Sequence, residues 1–213
     1  VNKSTVLGNG SISGVDIDKF NINNNFNKEI RSKLNIPNSE FVITYLGRIN
    51  KDKGIINLIE AFNDLLPQYN DLTLLIVGSV ENDIKLEFKN LTKNKKIILI
   101  DHSIYPEKYM NASNIICLPS YREGFGNVII EAASCGIPSI ISDIYGLKDS
   151  IIENKTGFVF KINDINSLKN QILYSYKNKE KLIDLKYNCR NFVINNFNKD
   201  DVSTHFFNYL KPL

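Results

Sequence analysis

Two kinds of apolar pattern alternate along the chain. Phe41-Val-Ile-Thr-Tyr-Leu46 and Leu72-Thr-Leu-Leu-Ile-Val77 are nearly unbroken apolar runs, each closed by a glycine, Gly47 and Gly78. Short runs of this kind read as strands buried on both faces. Between them, apolar residues fall at Ile55, Leu58, Ile59, Phe62, Leu65 and Leu66. That spacing places them on one face of a helix that starts after Gly54 and stops near Pro67. The same alternation predicts a weaker helix over 82–91, a strand over 96–100, a short helix over 105–112 and a strand over 114–118. A helix over 127–134, closed by Cys135-Gly136, is followed by strands over 139–141 and 157–160. Three helical patterns, over 164–176, 179–195 and 199–209, have no strand between them and could wrap elsewhere. The asparagine-rich stretch 21–27 reads as a loop.

Strands that alternate with helices and are apolar throughout imply a parallel sheet covered on both faces, a doubly wound α/β fold. Ligands in such folds bind beyond the carboxyl ends of the strands. Composition adds little to this picture but excludes much. With 43% hydrophobic and 23% charged residues over 213 positions, the chain is globular and long enough for a real core. A net charge of +3 from 26 basic and 23 acidic residues argues against nucleic acid as a main partner. No apolar run reaches the roughly 18 residues of a membrane span, and no signal-peptide pattern is found. Cys117, Cys135 and Cys189 lack metal spacing, and a reduced cytoplasmic setting is expected. The first residue is Val1 rather than Met, as in a fragment or processed product.

The chemistry is expected in the strand-end loops. Gly47-Arg48-Ile-Asn-Lys51-Asp-Lys53-Gly54 leaves a strand, carries cations and opens a helix. Free N–H groups at a helix start and nearby cations suit an anion, with Arg48 able to fork onto two phosphate oxygens. A solvated basic loop explains the same residues equally well. The loop Pro119-Ser-Tyr-Arg-Glu123-Gly124-Phe125-Gly126-Asn127-Val128 follows another strand and opens the helix that carries Glu131. Gly124 and Gly126 permit close backbone approach. Glu131 is flanked by Ile129, Ile130, Ala132 and Ala133, where an unbonded charge is costly. It is read either as an acceptor for sugar hydroxyls or as the partner of an internal lysine or backbone group. The loop 142–147 is either an ordinary turn or a wall of the same cleft. Asp16-Ile17-Asp18 fits a metal-binding Asp-x-Asp, but reads as a turn. His102 and His205 are assigned neither metal nor catalysis; His102 follows a strand and could line the cleft.

Together these loops resemble the group 1 retaining glycosyltransferases, a GT-B family. The resemblance runs from about Gly8 to the end. It rests on Gly47-Arg48…Lys53-Gly54, Pro119-Ser120…Glu123-Gly124-Phe125-Gly126…Glu131-Ala132…Cys135-Gly136-Ile137-Pro138, Thr156-Gly157-Phe158-Val159 and Gly14-Val15-Asp16…Phe20. It implies the C-terminal donor-binding domain of an enzyme that moves a sugar, of hexosyl type, from a nucleoside-diphosphate sugar to a glycan or lipid-linked acceptor. Catalytic roles fall to Arg48, Lys53 and Glu123, and donor binding to Gly124, Phe125, Gly126, Asn127, Val128 and Glu131. Glu131 would hold the ribose and Glu123 the transferred sugar. No metal or cofactor is implied, since cations and a helix dipole stabilise the leaving diphosphate.

The resemblance divides the chain into an interdomain linker with a first strand (1–24), a Rossmann-like domain (25–196) and a C-terminal helix (197–213). That helix would cross to an N-terminal Rossmann-like partner domain, absent here. The isolated chain is then expected to be nearly inactive. Any membrane association, at the cytoplasmic face, would run through that missing domain. Two departures stand out. Gly78-Ser79-Val80 replaces a Gly-x-Gly, and Asp101-His102 replaces a glycine near the base. A non-catalytic nucleotide-sugar-binding module is the alternative reading.

Overall fold

The computed structural model describes residues 9–11 and 13–210. Six parallel strands form one sheet: β1 (Phe41–Leu46), β2 (Leu72–Val77), β3 (Ile97–Ile100), β4 (Ile115–Leu118), β5 (Ser139–Ser142) and β6 (Gly157–Phe160), in the order β3-β2-β1-β4-β5-β6. β1 and β2 are in register from Phe41–Leu72 to Leu46–Val77, and every residue of both is buried. The helices are α1 (Asn24–Lys33), α2 (Ile55–Leu65), α3 (Lys85–Leu91), α4 (Pro106–Asn111), α5 (Asn127–Ser134), α6 (Tyr145–Lys148), α7 (Ile165–Lys177), α8 (Lys179–Phe197) and α9 (Lys199–Leu210).

The pleat of β1 explains why both faces are covered. Phe41 packs its ring edge on Tyr176 of α7 at 5.8 Å. Thr44, three residues on and therefore on the opposite face, bonds Ser113 at the end of α4 at 2.5 Å. One layer is built from α2, α3 and α7, the other from α1, α4, α5 and α8. The three C-terminal helices thus have distinct fates. α7 covers β6 and α2, and α8 lies on α5. α9 has no buried side chain among residues 199–209, with Phe206 and Tyr209 about half exposed.

One expectation is corrected, and a second falls partly outside the described residues. The stretch 21–27 is not simply a loop, because α1 begins at Asn24. Asn23 caps it, its side-chain oxygen accepting from Asn25 N and Phe26 N. Asparagine's short acceptor suits a cap as well as a turn, so composition misled. Asn23→Ala is expected to cost about 1 kcal/mol in urea unfolding of the chain. Among the described residues of 1–24 there is also no strand. Val15 makes an isolated bridge to Asn198, donating to Phe197 O at 2.7 Å and accepting from Lys199 N at 3.0 Å. Residues 1–8, on which part of that expectation and the start of the resemblance at Gly8 fall, lie outside the described residues, as do 12 and 211–213. The incoming segment is fastened further by Arg190 of α8, which donates to Ile17 O and Phe20 O.

Candidate functional site

The strand order reverses between β1 and β4, and the loops leaving their carboxyl ends open a crevice there. These are the two loops singled out in the sequence. Their backbones are clamped: Tyr121 N donates to Asp52 O at 2.8 Å, and Asn57 Nδ2 to the Tyr121 hydroxyl at 2.8 Å. Gly54 sits at φ +61°, and a Cβ there would stand 2.1 Å from Pro119 O. Gly54→Ala therefore has to pry the loops apart. It should cost roughly 2 kcal/mol or more in thermal unfolding, through left-handed strain and that clash together.

Across the crevice, Lys53 Nζ lies 2.7 Å from Glu123 Oε1, and Ser120 Oγ donates to the same oxygen at 2.9 Å. Both charged side chains are mostly buried, at 17% and 15% exposure. Arg48 points outward to Glu81 Oε1 at 3.2 Å with 74% of its side chain exposed. Beneath it, the Tyr45 hydroxyl donates to Arg48 O at 2.5 Å, and burial pushes this phenol far above its ordinary pKa. Sequence reading missed Tyr45, since a tyrosine inside a buried strand looks like core.

The crevice has a volume of 260 Å³, lined by Arg48, Lys53, Glu123, Phe125, Asn127 and Val128 among others. A second hollow of 300 Å³ shares Gly47, Arg48 and Val128 with it, and adds Ser79, His102 and Pro106. One groove therefore runs across the ends of β4, β1, β2 and β3. His102 does line it. The departures after β2 and β3 meet here, Ser79 Oγ donating to Asp101 Oδ1 at 2.8 Å and His102 N to the same oxygen at 2.7 Å. The His102 N–H first, and then Ser79, hold that carboxyl below its usual range.

The other predicted residues differ in position. Gly124 is exposed, with open space where a Cβ would go. The space beside Gly126 is already filled, Leu147 Cδ2 standing 2.8 Å from where its Cβ would be. Phe125 leans on Phe197 with ring centroids 5.6 Å apart. No side chain caps α5, and Asn127 N donates back to Phe125 O at 2.9 Å. Glu131 lies one turn deeper on α5 than Val128 and lines neither hollow. Burial pushes its carboxyl up to about 7. The stretch 142–147 is not only a turn: its end opens α6, whose Gly146 buttresses the Glu123 loop from behind, since a Cβ there would stand 1.9 Å from Glu123 O. Asp16 forms a turn, accepting from Asp18 N and Lys19 N and pairing with Lys199 Nζ at 2.7 Å. Cys117, Cys135 and Cys189 are buried free thiols, raised in pKa by that burial.

The sequence pattern of the family described as Glycosyl transferases group 1 matches residues 26–192. The chain belongs to the group 1 glycosyl transferases. Among curated relatives of this glycosyl transferase, the capsular polysaccharide biosynthesis glycosyltransferase CapM of Staphylococcus aureus is 36% identical over 199 residues, covering 92% of this chain and 52% of CapM. The UDP-Gal:alpha-D-GlcNAc-diphosphoundecaprenol alpha-1,3-galactosyltransferase of Escherichia coli is 34% identical, covering 87% of this chain and 49% of that enzyme. The chain thus spans about half the length of these curated relatives. Among solved structures, the Anabaena protein HepE in complex with UDP superposes with a TM-score of 0.85 at 20% identity, over 92% of this chain and 55% of HepE. That likeness fixes the fold of this glycosyl transferase domain as one Rossmann-like half of the GT-B architecture. No helix among its described residues is long and apolar enough to cross a membrane.

Proposed function

We propose that this chain is the donor-binding domain of a retaining glycosyltransferase, gripping a nucleoside-diphosphate sugar in the groove above β4, β1, β2 and β3. The observation that carries this reading is the Lys53–Glu123 pair beside Arg48 and the uncapped start of α5. A diphosphate needs fixed positive groups at its oxygens, and a hexose needs a carboxylate for its hydroxyls. Both stand at one end of the groove, and the Ser79, His102 and Pro106 walls leave room for a base at the other. When the sugar–phosphate bond breaks, the departing diphosphate takes the electron pair. Lys53, Arg48 and the α5 dipole would take up that charge without a metal ion.

HepE binds UDP, and the Escherichia coli relative moves galactose from UDP-Gal to the GlcNAc of GlcNAc-diphosphoundecaprenol. We extend these by analogy to this chain: a UDP-hexose donor and a glycan or lipid-linked acceptor in cell-surface polysaccharide synthesis on the cytoplasmic side. The acceptor and any membrane contact would be held by a preceding Rossmann-like domain, toward which residues 197–213 would cross. The chain alone is then nearly inactive in transfer but binds nucleotide. Calorimetry of the chain against UDP, GDP and ADP tests this. Binding of UDP in the micromolar to millimolar range is expected (about −4 to −8 kcal/mol). A folded chain that binds none of the three would refute it.

A further inference from the structure

β1 and β2 end side by side, and their pairing runs on past the strands. Gly47 N donates to Val77 O at 3.1 Å, Ile49 N to Ser79 O at 3.0 Å and Glu81 N to Ile49 O at 2.9 Å. Ile49, itself buried, forms a parallel bridge with Val80. Val80 stands where the family pattern has glycine, and a β-branched residue suits this extension of the ladder. The two loops are pressed together at their start, since a Cβ at Gly78 would stand 1.9 Å from Gly47 O. Further on, Lys51 N donates to Asp83 Oδ2 at 3.3 Å. This ladder delivers Glu81 to Arg48, whose Nη1 donates to Glu81 Oε1 at 3.2 Å. The backbone of Arg48 is held separately, by the Tyr45 hydroxyl on its carbonyl. Arg48 lines both hollows of the groove, so a turn of its side chain alone carries the guanidinium from Glu81 to an anion lying between them.

We infer that Glu81 is a positioning residue for Arg48: it competes with the nucleotide's diphosphate for the guanidinium, and so favours departure of the product nucleoside diphosphate over loss of the nucleotide sugar. This rests on reading Arg48 as a diphosphate contact. A guanidinium turned onto two phosphate oxygens takes Nη1 away from Glu81 and leaves that carboxylate facing the anion unneutralised. The pair itself is weak, because the two side chains are 74% and 42% exposed, so a diphosphate is able to displace it. The repulsion that follows is graded by the charge of the ligand. Once the sugar has gone, the terminal phosphate takes on a further negative charge, and the repulsion from Glu81 rises with it. The nucleotide sugar, one charge lower, is penalised less. Glu81 thereby weakens the grip on the product more than the grip on the donor.

The test uses calorimetry on this chain with UDP and UDP-glucose as probes, at about pH 8, where the terminal phosphate of UDP is ionised. Glu81→Gln keeps the size of the side chain and removes its charge. It should tighten UDP roughly fivefold and UDP-glucose roughly twofold, a gap that narrows as salt is raised. In an Arg48→Ala background the same substitution should lose most of its effect on UDP, because the guanidinium it competes for is gone. Equal tightening of the two ligands, no tightening of either, or an undiminished effect without Arg48 would overturn the role of Glu81. Equal UDP affinity in the parent and Arg48→Ala proteins would instead remove the reading of Arg48 as a diphosphate contact, and this inference with it.

Discussion

Under the function proposed above, Lys53→Ala is expected to lower kcat/KM for sugar transfer about a thousandfold, ~4 kcal/mol of transition-state stabilisation. Two effects combine. The first is loss of an ammonium already held in place beside the groove, which would meet developing phosphate charge without reorganisation. The second comes from the partner left behind. Glu123 Oε1, now 2.7 Å from Lys53 Nζ, would keep only the Ser120 hydroxyl, and its carboxylate would face the diphosphate unneutralised. The single variant therefore overstates the share of Lys53 itself. The double variant Lys53→Ala/Glu123→Gln should recover about tenfold of the loss, a coupling that a double-mutant cycle reads directly. Arg48→Ala should cost less, because Arg48 is largely solvent-exposed and must leave Glu81 to reach the groove. Initial rates with a UDP-sugar donor decide the matter. A loss below about tenfold for Lys53→Ala, or no recovery in the double variant, would reject this account of the pair.

How far the site could be read in advance depended on sequence distance. β1, β2 and the helix over 127–134 were legible because buried parallel strands and amphipathic helices write their periodicity locally. The loop ends at Arg48, Lys53 and Glu123 could be singled out for the same reason, as each follows a strand. Contacts between loops were not legible. Lys53 meets Glu123, 70 residues on, because β4 inserts beside β1 in the sheet. Ser79 meets Asp101 because β3 lies beyond β2. Sheet order creates all of these neighbours, and no local pattern encodes it. α1 was lost for a different reason. Its sequence, NNFNKEIRSK, is poor in helix formers and nearly bare of apolar positions. Its helicity is supported by tertiary bonds rather than propensity.

Those bonds make the second large prediction: Arg31→Met should destabilise the chain by about 3 kcal/mol, a fall in Tm of roughly 10 °C. Arg31 is 5% exposed and holds α1 against the amino-terminal end of the sheet. Its Nε donates to Ala112 O at 3.0 Å, its Nη1 to Pro37 O at 3.1 Å and Glu40 O at 3.0 Å, and its Nη2 to Asn114 Oδ1 at 2.8 Å. No carboxylate joins this set of acceptors, so the guanidinium is held by carbonyl oxygens, and burial draws its pKa below the usual arginine value. Methionine keeps much of the apolar stem, so packing loss is limited. What it removes is every donor of Arg31; Pro37 O keeps Glu40 N and Asn114 Oδ1 keeps Val42 N, while Ala112 O and Glu40 O each lose the donor that Arg31 gave them. Asn114 is the sensitive one, because its Oδ1 also accepts from Val42 N at 2.8 Å and so joins α1 to the start of β1. Arg31→Lys should recover only part of the loss. One ammonium offers three donors from a single point and cannot span acceptors laid out for a planar fork. Thermal melts of the three proteins should therefore rank parent, lysine and methionine in that order. Equal Tm values for the parent and methionine proteins would show that the other bonds of α1, among them Asn27 Nδ2 to Asn111 O at 2.8 Å, hold it without Arg31.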